Sequence, residues 1–395
     1  MERRDSAGYE GNDGGRRRFL AAVGAGAVGA TAGCLGGLMD GSDGGGGGGG
    51  NNSTDVAGQI GSGRSPFGNR GPPGGTSMQE MPDLKGKLTL YSGRGQALVG
   101  ELIGFIENLY DGFEVKTQYG GSTELVQQIQ TEGKNSPADV FYSVNAGSLG
   151  MLSEAGRTTK LPKDVLTMVD ERFHDPQGKW VGTSGRARSV PFNTNAFDER
   201  AIPNDIFAFP NQKKFDGKMG WAPSYGSFQA FVTAMRLLNG RQKTKQWLQA
   251  MKRKKIVKNY SDEFLVAQAV ARGEIKAGFT NHYYIQRVLA GNKNASIGTA
   301  FTKNDAGSMF NVAGAAVVNT TGKKQLASNF VRHLLSAEAQ EYFAVKTYEY
   351  PLIPEVQPLG RLPTIDELEP PANLDLGQLS KLKPTLDLLR EVGLL

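Results

Sequence analysis

Residues 87–119 read KLTLYSGRGQALVGELIGFIENLYDGFEVKTQY, and their periodicity decides the fold class. Lys87 to Tyr91 alternates in the two-residue period of a strand. Leu98, Val99, Leu102, Ile103, Phe105, Ile106 and Leu109 then recur at helical spacing, and Phe113, Val115, Thr117 and Tyr119 return to alternation. Gly93-Arg94-Gly95 reads as a tight strand-to-helix turn; the third glycine of a dinucleotide fingerprint is misplaced. Strand, helix, strand in this order predicts parallel strands with helices on the faces of the sheet.

The same alternation continues downstream. Ser122 can cap a helix carrying Leu125, Val126 and Ile129, Ala138 to Tyr142 reads as a short strand, and a helix follows near Leu149 to Ala155. A second unit contains helices at 227–238, 243–251 and 262–271 and a strand at 275–279, followed by a strand at 311–318 and a helix at 324–335. Apolar spacing at 382–389 predicts a C-terminal helix. Two units and a returning strand predict an α/β fold of two lobes. Each lobe is a mainly parallel sheet flanked by helices, and crossover strands near 186–194 and 311–318 join them. The expected division is 85–188 plus about 312–345 for the first lobe, and 189–311 plus about 346–395 for the second lobe and C-terminal helices.

Composition narrows the function. The chain has 395 residues, 38% of them hydrophobic, enough for two or three ordinary domains. Lys plus Arg exceed Asp plus Glu by 45 to 39, an excess of 6 spread along the chain. The basic run Lys252 to Lys255 has no interleaved aromatics, so nucleic acid is not an expected partner. The sole cysteine, Cys34, excludes an intramolecular disulfide and a cysteine-built zinc site. His174, His282 and His333 are far apart, and neither HExxH nor a phosphate-loop motif is present.

The first eighty residues read as an address and a tether. Arg16-Arg17-Arg18-Phe19-Leu20 fits the twin-arginine export pattern, and the apolar run from Ala21 to Gly33 is too short to span a membrane. Thr31-Ala32-Gly33-Cys34 looks like a lipobox with Thr where Leu is usual. The expectation is a signal peptide at 1–33 bearing Arg16 and Arg17, a lipidated Cys34, and a disordered glycine-rich tether at 34–84. This places the protein outside the cytoplasm, anchored to the outer face of the membrane. The layout resembles lipoproteins of haloarchaea, from which the absence of a strong acidic excess departs.

Polar, glycine-rich clusters fall at the joints of the predicted elements. Tyr91 to Arg94, Tyr119 to Ser122 and Tyr142 to Asn145 end strands; Ser224 to Ser227 precedes a helix; Asn281 to Tyr284 follows a strand. Ligands of open parallel sheets bind at the carboxyl ends of strands, where helix N-termini offer free N–H groups to anions. Five such clusters in two lobes predict one cleft lined from both sides.

From about Lys87 onward the chain resembles the ferric-iron-binding proteins of ABC importers, within the type II periplasmic-binding-protein fold. The likeness rests on Leu90 to Arg94, Pro137 to Tyr142, Ser184-Gly185-Arg186-Ala187-Arg188, Asn281 to Tyr284, Ser308 to Val318 and Tyr348 to Leu352. The resemblance implies a binding protein rather than an enzyme. It implies Fe(III) as cargo, held by Tyr283 and Tyr284 with Tyr91 and Tyr142 in reserve. It implies an exogenous anion (carbonate, phosphate or citrate) held by Asn281, Tyr225, Gly226 and Ser227 with Arg94. The implied partners are a permease with its ATPase, and the protein is expected to be a monomer. The sequence departs from the family where Gly95 and Val144 replace a histidine and a glutamate, and where Phe192 and Phe228 stand for tyrosines of other relatives. An asparagine of the anion site is replaced around Asp262-Glu263, a pair that would suit a cation, whereas Arg94, Arg186 and Arg188 would suit an anion. The same module binding another small solute, an organophosphate or a polyamine, is the alternative. Porphobilinogen deaminase has this architecture but attaches its cofactor through a cysteine, and Cys34 lies in the lipobox.

Overall fold

The computed structural model describes residues 70–71 and 73–395. The twin-arginine stretch and Cys34 lie outside the described residues. In chain order, the first half contains β1 (Gly86–Ser92), α1 (Gln96–Leu109), β2 (Phe113–Tyr119), α2 (Ser122–Glu132), β3 (Val140–Ser143), α3 (Ala146–Glu154) and β4 (Val181–Asn193). Next come β5 (Met219–Trp221), α4 (Gly226–Asn239), α5 (Arg241–Lys254), β6 (Ile256–Asn259), α6 (Glu263–Ala271), β7 (Ala277–Gly278), β8 (Thr280–Asn281), α7 (His282–Gly291) and β9 (Ile297–Ala300). The chain continues through β10 (Phe310–Val317), α8 (Lys324–His333), α9 (Ala337–Tyr342) and α10 (Lys383–Glu391).

β1, β2 and β3 are parallel, with Leu88 opposite Val115 and Leu90 opposite Val140. Parallel pairing needs a crossover, which α1 and α2 supply. The helical repeat in α1 buries Val99, Leu102, Ile103 and Ile106. β2 is the edge strand, and its exposed Glu114, Lys116 and Gln118 discourage further pairing. β10 closes this sheet antiparallel to both β3 and β4.

β4 belongs to both lobes. Residues up to Ala187, which faces Phe310, pair with β10. From Arg188, which faces Asn281, the strand pairs with β8, β9 and β7. The first crossover therefore lies inside the expected 186–194. β10 sits wholly in the first sheet, so the second crossing is made by 301–309 and not by the strand expected there. In the second lobe β5, β6 and β7 are parallel. The strand expected at 275–279 is seen instead as two short pieces, β7 and β8, on either side of the core residue Phe279.

Each lobe has its own core. Leu88, Leu90, Phe141, Val312 and Phe330 belong to the first, and Phe209, Trp221, Phe231, Trp247 and Phe279 to the second. Tyr350, Leu352 and Leu368 still pack in the first core, while Leu379, Leu388 and Leu389 pack in the second. The C-terminal segment thus changes core between 368 and 379, not near 346. Order also starts earlier than the expected tether end: Ser77 caps a 3₁₀ turn at Met78–Glu80, and Met78 is fully buried. Among the described residues no helix is long and apolar enough to cross a membrane.

Candidate functional site

A cavity of about 720 Å³ opens at the joints of the elements. Arg94, Thr123, Val144 and Asn145 line it from the first lobe, and Tyr225, Gly226, Ser227, Asn281, Tyr283 and Tyr284 line it from the second. The structure thus brings the residues expected to hold cargo and anion to one place.

The first-lobe wall is rigid because its loops are tied to one another. Gly93 N–H donates to the Tyr142 carbonyl (2.7 Å), Gly120 N–H to the Ser92 carbonyl (3.1 Å), and Val144 N–H to Ser122 Oγ (3.1 Å). A Cβ on Gly93 would lie 1.9 Å from Ser122 Oγ, so only glycine fits the turn. Asn145 caps its own helix α3 by accepting the Ser148 N–H.

Arg94 is not free to meet an anion. Its Nη1 donates to Ser184 Oγ and its Nη2 to Glu349 Oε2, each at 2.7 Å, and it is 1% exposed. Burial opposes ionisation of Glu349, but Arg94 and Arg186 outweigh it and hold the carboxyl below its ordinary value. Glu349 is aimed there by local backbone. Phe343–Thr347 forms one π turn, and Tyr348 ends it in the left-handed region at φ 60°.

The second-lobe wall presents two helix N-termini whose first N–H groups no side chain caps: α4, preceded by Tyr225, and α7, preceded by Asn281. Ser227 Oγ is buried without a hydrogen-bond partner among the described residues. The rings of Tyr283 and Tyr284 lie 4.3 Å apart. Asn281 Nδ2 donates to Tyr283 Oη (3.3 Å), and Tyr284 Oη shares a hydrogen bond of 2.5 Å with Tyr225 Oη. Burial, with the neighbouring phenols, pushes the Tyr284 hydroxyl far above its ordinary value. Arg287 lies one helical turn beyond Tyr283, and its guanidinium is 5.8 Å from each of the two ring centroids.

Other expected residues fall elsewhere. Tyr91 and Tyr142, the reserve metal ligands, are core side chains outside the cavity lining. Tyr91 Oη donates to Glu132 (2.8 Å), and burial with that carboxylate pushes it up to about 12. Tyr142 Oη accepts from Thr183 (3.4 Å). Phe192 and Phe228 are also buried in a core. Asp262 caps α6, and Glu263 is fully buried against Arg188, with its second oxygen accepting the Asn281 N–H (3.0 Å). Both acids are thus committed within the protein, Glu263 to Arg188 and to the Asn281 N–H, and neither lines the cavity. Sequence reasoning missed Glu349, Arg287 and Asn311 as lining residues. Arg287 follows Tyr283 at helical spacing, a signal that could have found it; Asn311 and Glu349 lie in stretches that carried the family likeness but were not read as lining residues. Among the described residues no group of three or more His, Cys, Asp or Glu side chains is placed to hold a metal ion. The oxygen-bearing side chains that line the cavity include Tyr225, Tyr283, Tyr284 and Glu349.

A family profile described as bacterial extracellular solute-binding protein matches residues 106–368. The major ferric iron-binding protein of Neisseria meningitidis is 31% identical over 288 residues, covering 72% of this chain and 86% of that protein. The crystal structure of iron-bound HitA from Pseudomonas aeruginosa superposes with a TM-score of 0.69 at 29% identity, covering 78% of this chain and 99% of that one. The Trichodesmium protein (IdiA) (FutA), in complex with iron and citrate ligands, gives a TM-score of 0.66 at 26% identity, covering 78% and 100%.

Proposed function

The chain belongs to the bacterial extracellular solute-binding proteins, the capture component of ABC importers, and from that premise we propose that its cargo is ferric iron bound together with an exogenous anion. The observation that supports this reading is the placement of Tyr283 and Tyr284 beside two uncapped helix N-termini in one cavity. Iron(III) is a hard ion that favours anionic oxygen, which two phenolates supply. Two phenolates cannot fill six positions, and Gly95 and Val144 offer no donor. Carbonate, phosphate or citrate fills the remainder, held by the N–H groups of Gly226 and Ser227, by Ser227 Oγ and by Asn281. Arg186, whose Nε is buried without a partner among the described residues, takes the anion-binding place that Arg94 leaves.

The protein then hands its cargo to a permease and its ATPase. It acts as a monomer held at the outer membrane face by a lipidated Cys34, after export directed by Arg16 and Arg17. Replacing Cys34 with Ser should move it to the soluble fraction; a variant that stays with the membrane would refute the anchor.

A second reading is an anionic small solute such as an organophosphate, favoured by Arg186 and Arg287 in the lining. The same cations disfavour a polyamine. The visible spectrum of the purified protein with ferric citrate separates the two. Iron capture gives a phenolate-to-iron charge-transfer band absent from ferric citrate alone. No band with carbonate, phosphate or citrate would leave the organophosphate reading.

A further inference from the structure

Tyr225 stands at the N-cap of α4, where its backbone belongs to the anion-binding turn. Its side chain does something else. Its Oη lies 2.5 Å from Tyr284 Oη, and the two rings meet edge to face at 65° with centroids 6.2 Å apart. Tyr284 in turn stacks at 4.3 Å on Tyr283. Three phenols from two helix N-termini, 59 residues apart in the chain, therefore converge on one wall of the cavity.

We propose that Tyr225 is a third phenolate ligand of the ferric cargo. The inference rests on the reading of this cavity as an iron site. Neighbouring oxygens around a small octahedral ion with bonds of about 2.0–2.1 Å lie roughly 2.8–3 Å apart, so the pair must open by only a few tenths of an ångström. Charge supports the same assignment. Before any exogenous anion binds, two phenolates leave one positive charge on iron(III), and the first-lobe carboxylate that lines the cavity, Glu349, is already committed to Arg94 and Ser184. A third phenolate cancels that charge without any first-lobe side chain. The three tyrosines also line a cavity, and an edge-to-face ring contact alone would be met equally by phenylalanine. Each ligating phenol displaces one water from iron and releases its proton to solvent, and the iron stays ferric.

The test compares the wild type with Tyr225→Phe and Ser227→Ala, each loaded with ferric citrate, with bound iron counted independently of colour. Tyr225→Phe keeps the ring and removes the oxygen. It should lose about a third of the charge-transfer absorbance per bound iron, shift the band, and bind roughly tenfold more weakly. Ser227→Ala should bind more weakly with the band unchanged. An unchanged band and absorbance in Tyr225→Phe overturns the third ligand while leaving the iron site standing. A wild type that takes up no iron overturns both. One measurement needs no variant: in a crystal structure of the loaded protein, Tyr225 Oη at the same distance from iron as the Tyr283 and Tyr284 oxygens supports the assignment. An oxygen outside coordination distance of the iron refutes it.

Discussion

Arg94 and Glu349, 255 residues apart, form a buried ion pair with 2.7 Å between Nη2 and Oε2, and Ser184 Oγ contacts both partners. It joins the end of β1 to β4 and to the segment that follows α9. Removing one partner strands a buried charge, which typically costs about 3–5 kcal/mol. Arg94→Met or Glu349→Gln should therefore lower the denaturation midpoint sharply, and the double change Arg94→Met with Glu349→Gln should recover part of the loss. A double variant no more stable than the worse single variant would refute the pairing. The sign with pH follows from the lowered carboxyl of Glu349. Its contribution is complete above its unfolded value of 4.5 and is lost as pH falls through the lower folded value.

Changing both Tyr283 and Tyr284 to Phe keeps the stacked rings and removes two oxygens. Iron affinity should fall at least about a hundredfold, since each lost ligand is worth tenfold or more. Thermal stability should move little, because the packing surface remains. A double variant with undiminished colour and affinity would remove these residues from the site.

Iron uptake should weaken as pH falls. Burial and neighbouring phenols already hold the proton on Tyr284 above its ordinary value, so only the metal displaces it. Every phenol that ligates exchanges one proton, and affinity drops by up to about tenfold per pH unit for each. Competition with a chelator across neutral pH measures the slope; a flat profile would exclude phenolate ligands.

The first-lobe wall offers Thr123, Asn145 and Ser148 to a ligand held mainly by the second lobe. β4, the segment 301–309 and the stretch between Leu368 and Leu379 connect the lobes, and a ligand closes a hinge between them only if both walls touch it. Small-angle scattering should show a smaller radius of gyration with ferric citrate than without. Tight binding with no compaction would refute the two-sided cleft.

Much of this molecule was legible in local pattern. The two-residue alternation at 87–91 and the helical spacing at 98–109 became β1 and α1 because side-chain periodicity reports directly on which face is buried. The short polar loops were legible as cavity-lining candidates for the same reason: Tyr225 to Ser227 and Asn281 to Tyr284 each sit where an element changes type. Local pattern could not say which polar groups find each other across the fold. It offered Arg94 to an anion, and packing gave it to Glu349. It held Tyr91 and Tyr142 in reserve as ligands, and packing placed one against Glu132 and buried the other beside Thr183. It left Asp262-Glu263 as a cation site, and packing set Glu263 against Arg188. Element order, the two-lobed class and the positions of the turns were readable along the chain, because periodicity and turn chemistry act over a few residues. The tertiary structure alone decided that the hydroxyls of Tyr225 and Tyr284 meet, because a contact across 59 residues depends on how α4 and α7 pack around the sheet.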